Sequence, residues 1–345
     1  MSLIASYEKR IFQFKRPSGT SRGILTDKKA WFISIHHSDR PETIGIGECS
    51  IIPGLSPDYI DDIQYEKKVV DVCENIQYFA NHLEELEMFP SIYFGAEMAL
   101  LDLKNNGKQI YFPSQFTEGN SVIPINGLIW MGSPEFMQEQ IEEKIKQGFT
   151  CIKMKIGAID FEHEIELLHK LRSQFSKEKI TLRVDANGAF SAKEAHEILR
   201  ILSSLDIHSI EQPIAVNQVG QMTELCRQSP LPIALDEELI GCATTKDKKN
   251  LLSTIQPQYI ILKPSLIGGF KGTTEWIEIA EDLNIKWWIT SALESNIGLN
   301  AIAQFTAKYE VALPQGLGTG ALYTNNVNSP LNIEKGHLKY RVTYS

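Results

Sequence analysis

Seven short apolar runs, most of them closed by an ionisable residue, recur along the second part of the chain. They are "VIPINGLIW", "CIKMKIG", "ITLRVDA", "HSIEQP", "LPIALDE", "YIILKPS" and "KWWITSA". From Lys155 through Asp185, Glu211, Asp236 and Lys263 to Glu294 the intervals are 30, 26, 25, 27 and 31 residues. Amphipathic segments fill the gaps. One starts at the cap Ser133-Pro134 and runs to Gly148; others start near Asp160, Ser191, Asn217, Thr244, Gly268 and Asn296. Strands alternating with helices predict parallel βαβ units. A (β/α)8 barrel of about 250 residues spends about 31 on each unit, close to these intervals. An eighth strand near "EVALPQGLG" would close the ring. The units share no internal similarity, so the repeat is one of structure.

The part before Ser121 follows another pattern. "KAWFISIHH" and "TIGIGECSII" alternate as two antiparallel strands would, with "SDRPE" (Ser38 to Glu42) as the turn. "DYIDDIQYEKKVVDVCENI" and "SIYFGAEMALLDLKNNG" carry helical spacing, the second stopping at Asn105-Asn106-Gly107. The tail after Pro330 is expected to supply a strand or two that return to this first module. The division expected is an α+β capping domain over residues 1–120, joined by 325–345, and a barrel over 121–324.

Composition narrows the function classes. The 345 residues carry a formal net charge of −9 and show no basic stripe, which argues against nucleic acid or an anionic membrane as partner. No apolar run approaches the length of a membrane span, and the charged N-terminus does not read as a signal peptide. Five widely spaced cysteines without a CxxC are expected to be free thiols in a reducing, cytoplasmic compartment.

Barrel enzymes place their sites at the C-terminal ends of the strands. There this chain puts Lys153 and Lys155, then Asp185, Glu211 and Asp236 on three successive strands, then Lys263 and Glu294. Each alone fits a simpler role: Asp185 in a turn, Asp236 as a helix cap, Lys263 at a solvated strand end. Together, at barrel spacing, they favour a site, since the charges in "ALDEE" and "ILKPS" follow directly on apolar runs. Three converging carboxylates suit a hard cation, Mg²⁺ before zinc. A divalent cation and a cationic neighbour would favour proton abstraction next to a substrate carboxylate. Lys153 and Lys155 share one face of a strand, and their mutual repulsion is expected to help make one of them a base.

With these residues in place, the chain resembles the muconate-lactonizing branch of the enolase superfamily along its whole length. The carriers are Lys-x-Lys on the second strand, carboxylates on the third, fourth and fifth, and a lysine on the sixth. The resemblance implies a modified (β/α)7β TIM-type barrel, with a capping domain formed by the N-terminal part and the C-terminal tail. It implies Asp185, Glu211 and Asp236 as ligands of Mg²⁺, with Mn²⁺ as a substitute. It also implies Lys155 and Lys263 as catalytic residues on opposite sides of a small carboxylate substrate, Lys153 as the residue that tunes Lys155, and Asn187 beside the metal shell. Within the branch, "TSRG" (Thr20 to Gly23), "INGLIWMG", "KPSLIGG" and "GLGTGALY" are most similar to the o-succinylbenzoate synthase family. That similarity implies syn-dehydration of a cyclohexadiene carboxylate, with Arg22, Ser265 and Gly316 as substrate contacts. The alternatives are N-succinylamino acid racemase, dipeptide epimerase, muconate cycloisomerase, and a barrel that binds a metal-chelating acid without turnover. Gly316-Leu317-Gly318-Thr319 lacks the Asp-x-Asp by which dipeptide epimerases hold an ammonium group. Turns at Ser18 to Ile24 and Ile51 to Ser56 are expected to close over the mouth.

Overall fold

The computed structural model describes residues 2–20, 23–157 and 161–342. Three strands, β1 (Leu3–Thr20), β2 (Gly23–His37) and β3 (Arg40–Ser50), form an antiparallel meander. The last two match the alternating segments, and Ser38 and Asp39 make the turn between them. The long β1 was not read from the sequence. Its alternation is there, but charged side chains at Glu8, Lys9 and Arg10 mask it.

Three helices follow: α1 (Asp62–Glu74), α2 (Ile76–Phe79) and α3 (Pro90–Lys104). The Asp61 carboxylate accepts from the Gln64 amide and starts α1. Pro90 starts α3, which is buried on most sides and lies across β3. Glycine permits that approach: a Cβ on Gly47 would overlap the carbonyl of Gly95. Trp31, Ile33, Tyr65, Val69 and Ile92 fill the space between sheet and helices.

After a short strand, β4 (Val122–Pro124), the barrel begins. Its strands are β5 (Gly127–Ile129), β6 (Cys151–Lys155), β7 (Thr181–Asp185), β8 (Ser209–Glu211), β9 (Ile233–Leu235), β10 (Tyr259–Leu262) and β11 (Lys286–Ile289), paired in sequence order. Between and after them run α4 (Pro134–Lys146), α5 (Phe161–Gln174), α6 (Ala192–Ser203), α7 (Val219–Gln228), α8 (Thr245–Ile255), α9 (Gly269–Asp282) and α10 (Asn296–Thr306). Ser133, Ser191 and Thr244 cap α4, α6 and α8 through their side-chain oxygens, where the sequence placed helix starts.

The ring closes through Gln315 and Gly316, which bridge Ile125 on one side and Thr290 on the other, both parallel. These are bridges rather than a regular strand. Pro314 has no amide to donate, and a Cβ on Gly316 would collide with the Thr290 side chain. The result is the (β/α)7β ring, with no helix after the eighth strand position.

The tail forms β12 (Leu331–Glu334) and β13 (His337–Tyr340), which add to β4 in a separate antiparallel sheet. Leu338 is buried opposite Ile123, so the tail strands pair with β4 and not with the N-terminal meander to which they were expected to return. Residues 322–325 are the segment that pairs with β1: the Lys15 amide donates to Leu322, and the Thr324 amide donates to Gln13. No helix among the described residues is long and apolar enough to cross a membrane.

Two carboxylates of the N-terminal module terminate barrel helices. Glu48 on β3 accepts from the amides of Ser295 and Gly298 at the start of α10. Glu97 on α3 accepts from the amides of Phe270 and Lys271 at the start of α9. A helix N-terminus carries unsatisfied N–H groups and partial positive charge, so each contact joins the two modules electrostatically.

Candidate active site

On β6 the pleat sends Ile152 and Met154 to the helices, and Lys153 and Lys155 into the barrel. In parallel register Lys155 lies beside Asp185, and Asp185 beside Glu211. The inward charges therefore stand side by side on neighbouring strands. Lys153, Lys155, Asp185, Glu211 and Asp236 are all buried, and Lys263 nearly so.

Ammonium and carboxylate groups interlock. Lys153 Nζ lies 3.0 Å from Asp185 Oδ2 and donates also to Glu211 Oε2. Lys155 Nζ lies 3.1 Å from the same Asp185 oxygen and 2.6 Å from Asn187 Oδ1. Lys263 donates to Asp236 Oδ2. Asn187 continues the chain by donating from Nδ2 to Glu237 Oε1 at 3.0 Å. It does so from a left-handed backbone (φ 45°), braced by its own amide on Asp185 Oδ1.

The lysine pair is thus not a bare like-charge contact. Both ammonium groups converge on one carboxylate oxygen. Burial opposes the Lys153 charge, but Asp185 and Glu211 outweigh it and hold the group above the ordinary lysine range. Burial likewise opposes ionisation of Asp185, and Lys153 with Lys155 outweigh it, so this carboxyl lies well below its usual value. Glu211 goes the other way: burial and the charge of Asp185 push it up to about 8. Burial also raises Asp236, against the pull of Lys263. Lys263 is raised as Asp236 and Glu237 outweigh its burial. Lys153 therefore belongs to the carboxylates as a fixed cation; the expected repulsion is quenched by their negative charge.

Above this cluster lies a cavity of about 180 Å³. Lys153, Lys155, Asp185, Asn187 and Lys263 form its charged floor. Gly316, Gly318 and Thr319 of the eighth strand position, with Asn126, Leu128 and Trp130 of the first, make one wall. Thr290 to Leu293 make another, and Gly23, Ile24, Leu25, Ile52, Pro53 and Leu55 of the N-terminal module cover the top. Glu211 and Asp236 lie beneath Lys153 and Lys263 and do not line the cavity. Among the described residues no group of three or more His, Cys, Asp and Glu side chains is gathered so as to hold a metal ion; lysine ammonium groups stand against the carboxylates instead. The donor set nevertheless suits a hard divalent cation. It is all oxygen, on three consecutive strands, and Oε1 of Glu211 is buried without a hydrogen-bond donor.

The other sequence-derived candidates fall in different places. Gly316 lines the cavity, as do parts of both expected covering turns. Arg22 lies outside the described residues. Ser265 is fully buried below the lining and donates to Glu294 Oε1 at 2.5 Å. Glu294, read as the polar end of the seventh strand, is buried too and accepts from Ser265 and from the Ala292 amide. The cavity-facing groups there are Thr290 and Ser291, because β11 ends at Ile289, five residues earlier than that reading. Asn126, Thr290, Ser291, Thr319 and Glu237 were missed. Counting each apolar run to its first polar residue would have found Thr290, in "KWWITSA", and Asn126, in "VIPINGLIW"; nothing local marks Ser291, Thr319 or Glu237.

The Enolase C-terminal domain-like family matches residues 136–342. The o-succinylbenzoate synthase of Desulfotalea psychrophila (strain LSv54) is 47% identical over 363 aligned residues, covering 96% of this chain and 98% of that protein. The crystal structure of MenC from Desulfotalea psychrophila LSv54 superposes with a TM-score of 0.87 at 43% identity, covering 98% of this chain and 100% of that one. The L-Ala-D/L-Glu epimerase of Francisella tularensis subsp. novicida (strain U112) is 28% identical over 251 residues, covering 70% of this chain and 69% of that protein.

Proposed function

The chain belongs to the Enolase C-terminal domain-like family, within the enolase superfamily, and on that premise we propose that it catalyses the o-succinylbenzoate synthase reaction. The reaction is the syn-dehydration of 2-succinyl-6-hydroxy-2,4-cyclohexadiene-1-carboxylate to 2-succinylbenzoate, a step of menaquinone biosynthesis. The observation that carries the chemistry is the placement of Lys155 and Lys263. Lys155 ends β6 and Lys263 directly follows β10, four strands apart in an eight-membered ring, and both face one cavity. A ring carboxylate bound between them has a lysine nitrogen on each face.

Lys155, acting in its neutral amine form, takes the proton next to the ring carboxylate and becomes the ammonium. The electron pair of that C–H bond moves into the enediolate, then expels the hydroxyl. Lys155 returns its proton to the departing oxygen on the same face, so water leaves and the ring becomes aromatic. Lys263 stays cationic on the opposite face, next to the developing negative charge. Lys153 is the fixed cation that binds Asp185 to Glu211. Asp185, Glu211 and Asp236 are the residues that would hold Mg²⁺, which when bound supplies further positive charge for the substrate carboxylate. The wall at Gly316 to Thr319 has no acidic side chain to anchor an ammonium group, which separates this site from one built for dipeptides.

The direct test is the absorbance of the cyclohexadiene. With Mg²⁺ present, the protein should bleach it and yield 2-succinylbenzoate; a chelator should stop the reaction. A folded, Mg²⁺-supplied protein that leaves the diene intact would remove this reading.

A further inference from the structure

A second buried charge cluster lies behind the cavity wall, outside the machinery described above. Lys28 on β2 is buried, and its ammonium group reaches across to the barrel to donate to the carbonyl of Ala292. The amide of the same residue donates to Glu294 Oε2 at 2.7 Å. Glu294 is fixed in turn by the Ser265 hydroxyl. The next carbonyl, that of Leu293, accepts from the buried hydroxyl of Tyr323 at 2.6 Å. Tyr323 is itself wedged between Phe12 and Phe14 of β1, with ring centroids 5.3 and 4.8 Å away. Glu48 completes the cluster. It flanks Lys28 in charge and is satisfied by the Ser295 amide and hydroxyl and the Gly298 amide.

What these groups hold is a short, strained stretch of wall. Leu293 has a left-handed backbone (φ 62°), a conformation that costs a β-carbon-bearing residue energy and persists only when its surroundings impose it. Ala292 and Leu293 both line the substrate cavity. Thus three backbone polar groups in this two-residue stretch are gripped by side chains, two of them from outside the loop. Lys28 comes from the N-terminal module and Tyr323 from the segment that pairs with β1. An ordinary loop would leave such groups to water or to neighbouring backbone. A buried lysine aimed at a carbonyl instead of a carboxylate is costly unless it fixes something.

We propose that Lys28 and Tyr323 are positioning residues that hold Ala292 and Leu293 in the shape that receives the substrate. The proposal rests on the dehydratase reading for its substrate. It gives Ser265 and Tyr323, both in segments that marked the family, a role one step behind the ligand. Removing a grip lets the wall relax, which weakens binding of substrate and transition state together. That raises KM and spares kcat.

The test compares wild type with Lys28→Met and Tyr323→Phe. It reads KM and kcat for the cyclohexadiene, hydrogen exchange of the amides from Ser291 to Glu294, and melting. We expect KM to rise about tenfold or more in Lys28→Met and about threefold in Tyr323→Phe, with kcat within about threefold of wild type and faster exchange confined to those amides. A KM within about twofold of wild type in both variants, or unchanged exchange, overturns the proposal. If Lys28→Met does not fold, Tyr323→Phe decides alone, since it loses a single hydroxyl. A wild type without turnover contradicts the functional reading instead; the exchange measurement then still decides the clamp.

Discussion

The barrel mouth and the clamp behind its wall are built from the same materials. Each gathers lysines and acidic side chains in the interior, and each joins strands distant in sequence. They differ in how the charges are satisfied. In the clamp, Glu48 and Glu294 accept from amides and hydroxyls, and Lys28 donates to a carbonyl. Burial pushes the Lys28 amine down to about 8, against the pull of Glu294 and Glu48. In the mouth, carboxylates and ammonium groups have mainly one another. One oxygen of Glu211 has no donor at all, and the lysines border a cavity. Burial of charge alone therefore does not mark a catalytic site.

The largest expected difference lies in catalysis. Lys155→Ala and Lys263→Ala should each lower kcat by about 10²–10⁴-fold, the range for loss of a general acid–base group or its electrostatic counterpart. Lys28→Met should leave kcat within about threefold. Steady-state rates of diene loss measure this, and a collapse of kcat in Lys28→Met would dissolve the distinction between the two clusters.

A smaller effect separates them in stability. Glu48→Gln weakens charge-assisted bonds at the start of α10 and leaves Lys28 with less compensation. It should cost about 1–3 kcal/mol, seen as a melting temperature lower by several degrees. Glu211→Gln relieves a carboxyl that burial already pushes up, so its melting temperature should hold or rise. Equal losses in the two variants would contradict the comparison.

The smallest effect concerns pH and the other inter-module contact. Burial raises Glu97 from 4.5 to about 7. The folded chain then holds a proton that the unfolded chain releases between those values, so this group makes stability fall as pH rises from about 4.5 to 7 and adds no slope above. Glu97→Gln should flatten that part of the stability profile, as followed by denaturant unfolding at several pH values. An unchanged profile would mean that the contact with α9 is not titrating.

How far the sequence carried these conclusions depended on the kind of signal. Apolar runs ending in Lys155, Asp185, Glu211, Asp236 and Lys263 were legible because alternation and the barrel period are local rules. Helix starts at Ser133, Ser191 and Thr244 were legible because a cap is one side chain and one amide away. The β1 strand was hidden, since its outward face is charged and only its pairing with β2 makes it a strand. The clamp was hidden more deeply. Lys28, Glu48, Ala292 and Tyr323 are scattered over the chain, and no spacing rule links them. Glu294 looked like a site residue because it follows a strand, and Ser265 because of the family resemblance, yet the backbone turns both below the cavity floor. The pleat predicts which way a strand residue faces; it says nothing of a side chain three or five residues past the strand's end, as Ser265 and Glu294 are.

One Glu211 oxygen is buried without a donor, whereas Glu48 accepts three hydrogen bonds; calorimetric titration with Mg²⁺ alone reads that difference without any turnover. Wild type and Glu48→Gln should bind one Mg²⁺ with affinities within about threefold of each other, whereas Glu211→Gln should bind at least about tenfold more weakly. Wild-type affinity in a folded Glu211→Gln variant would contradict the assignment of the three strand-end carboxylates as the metal site.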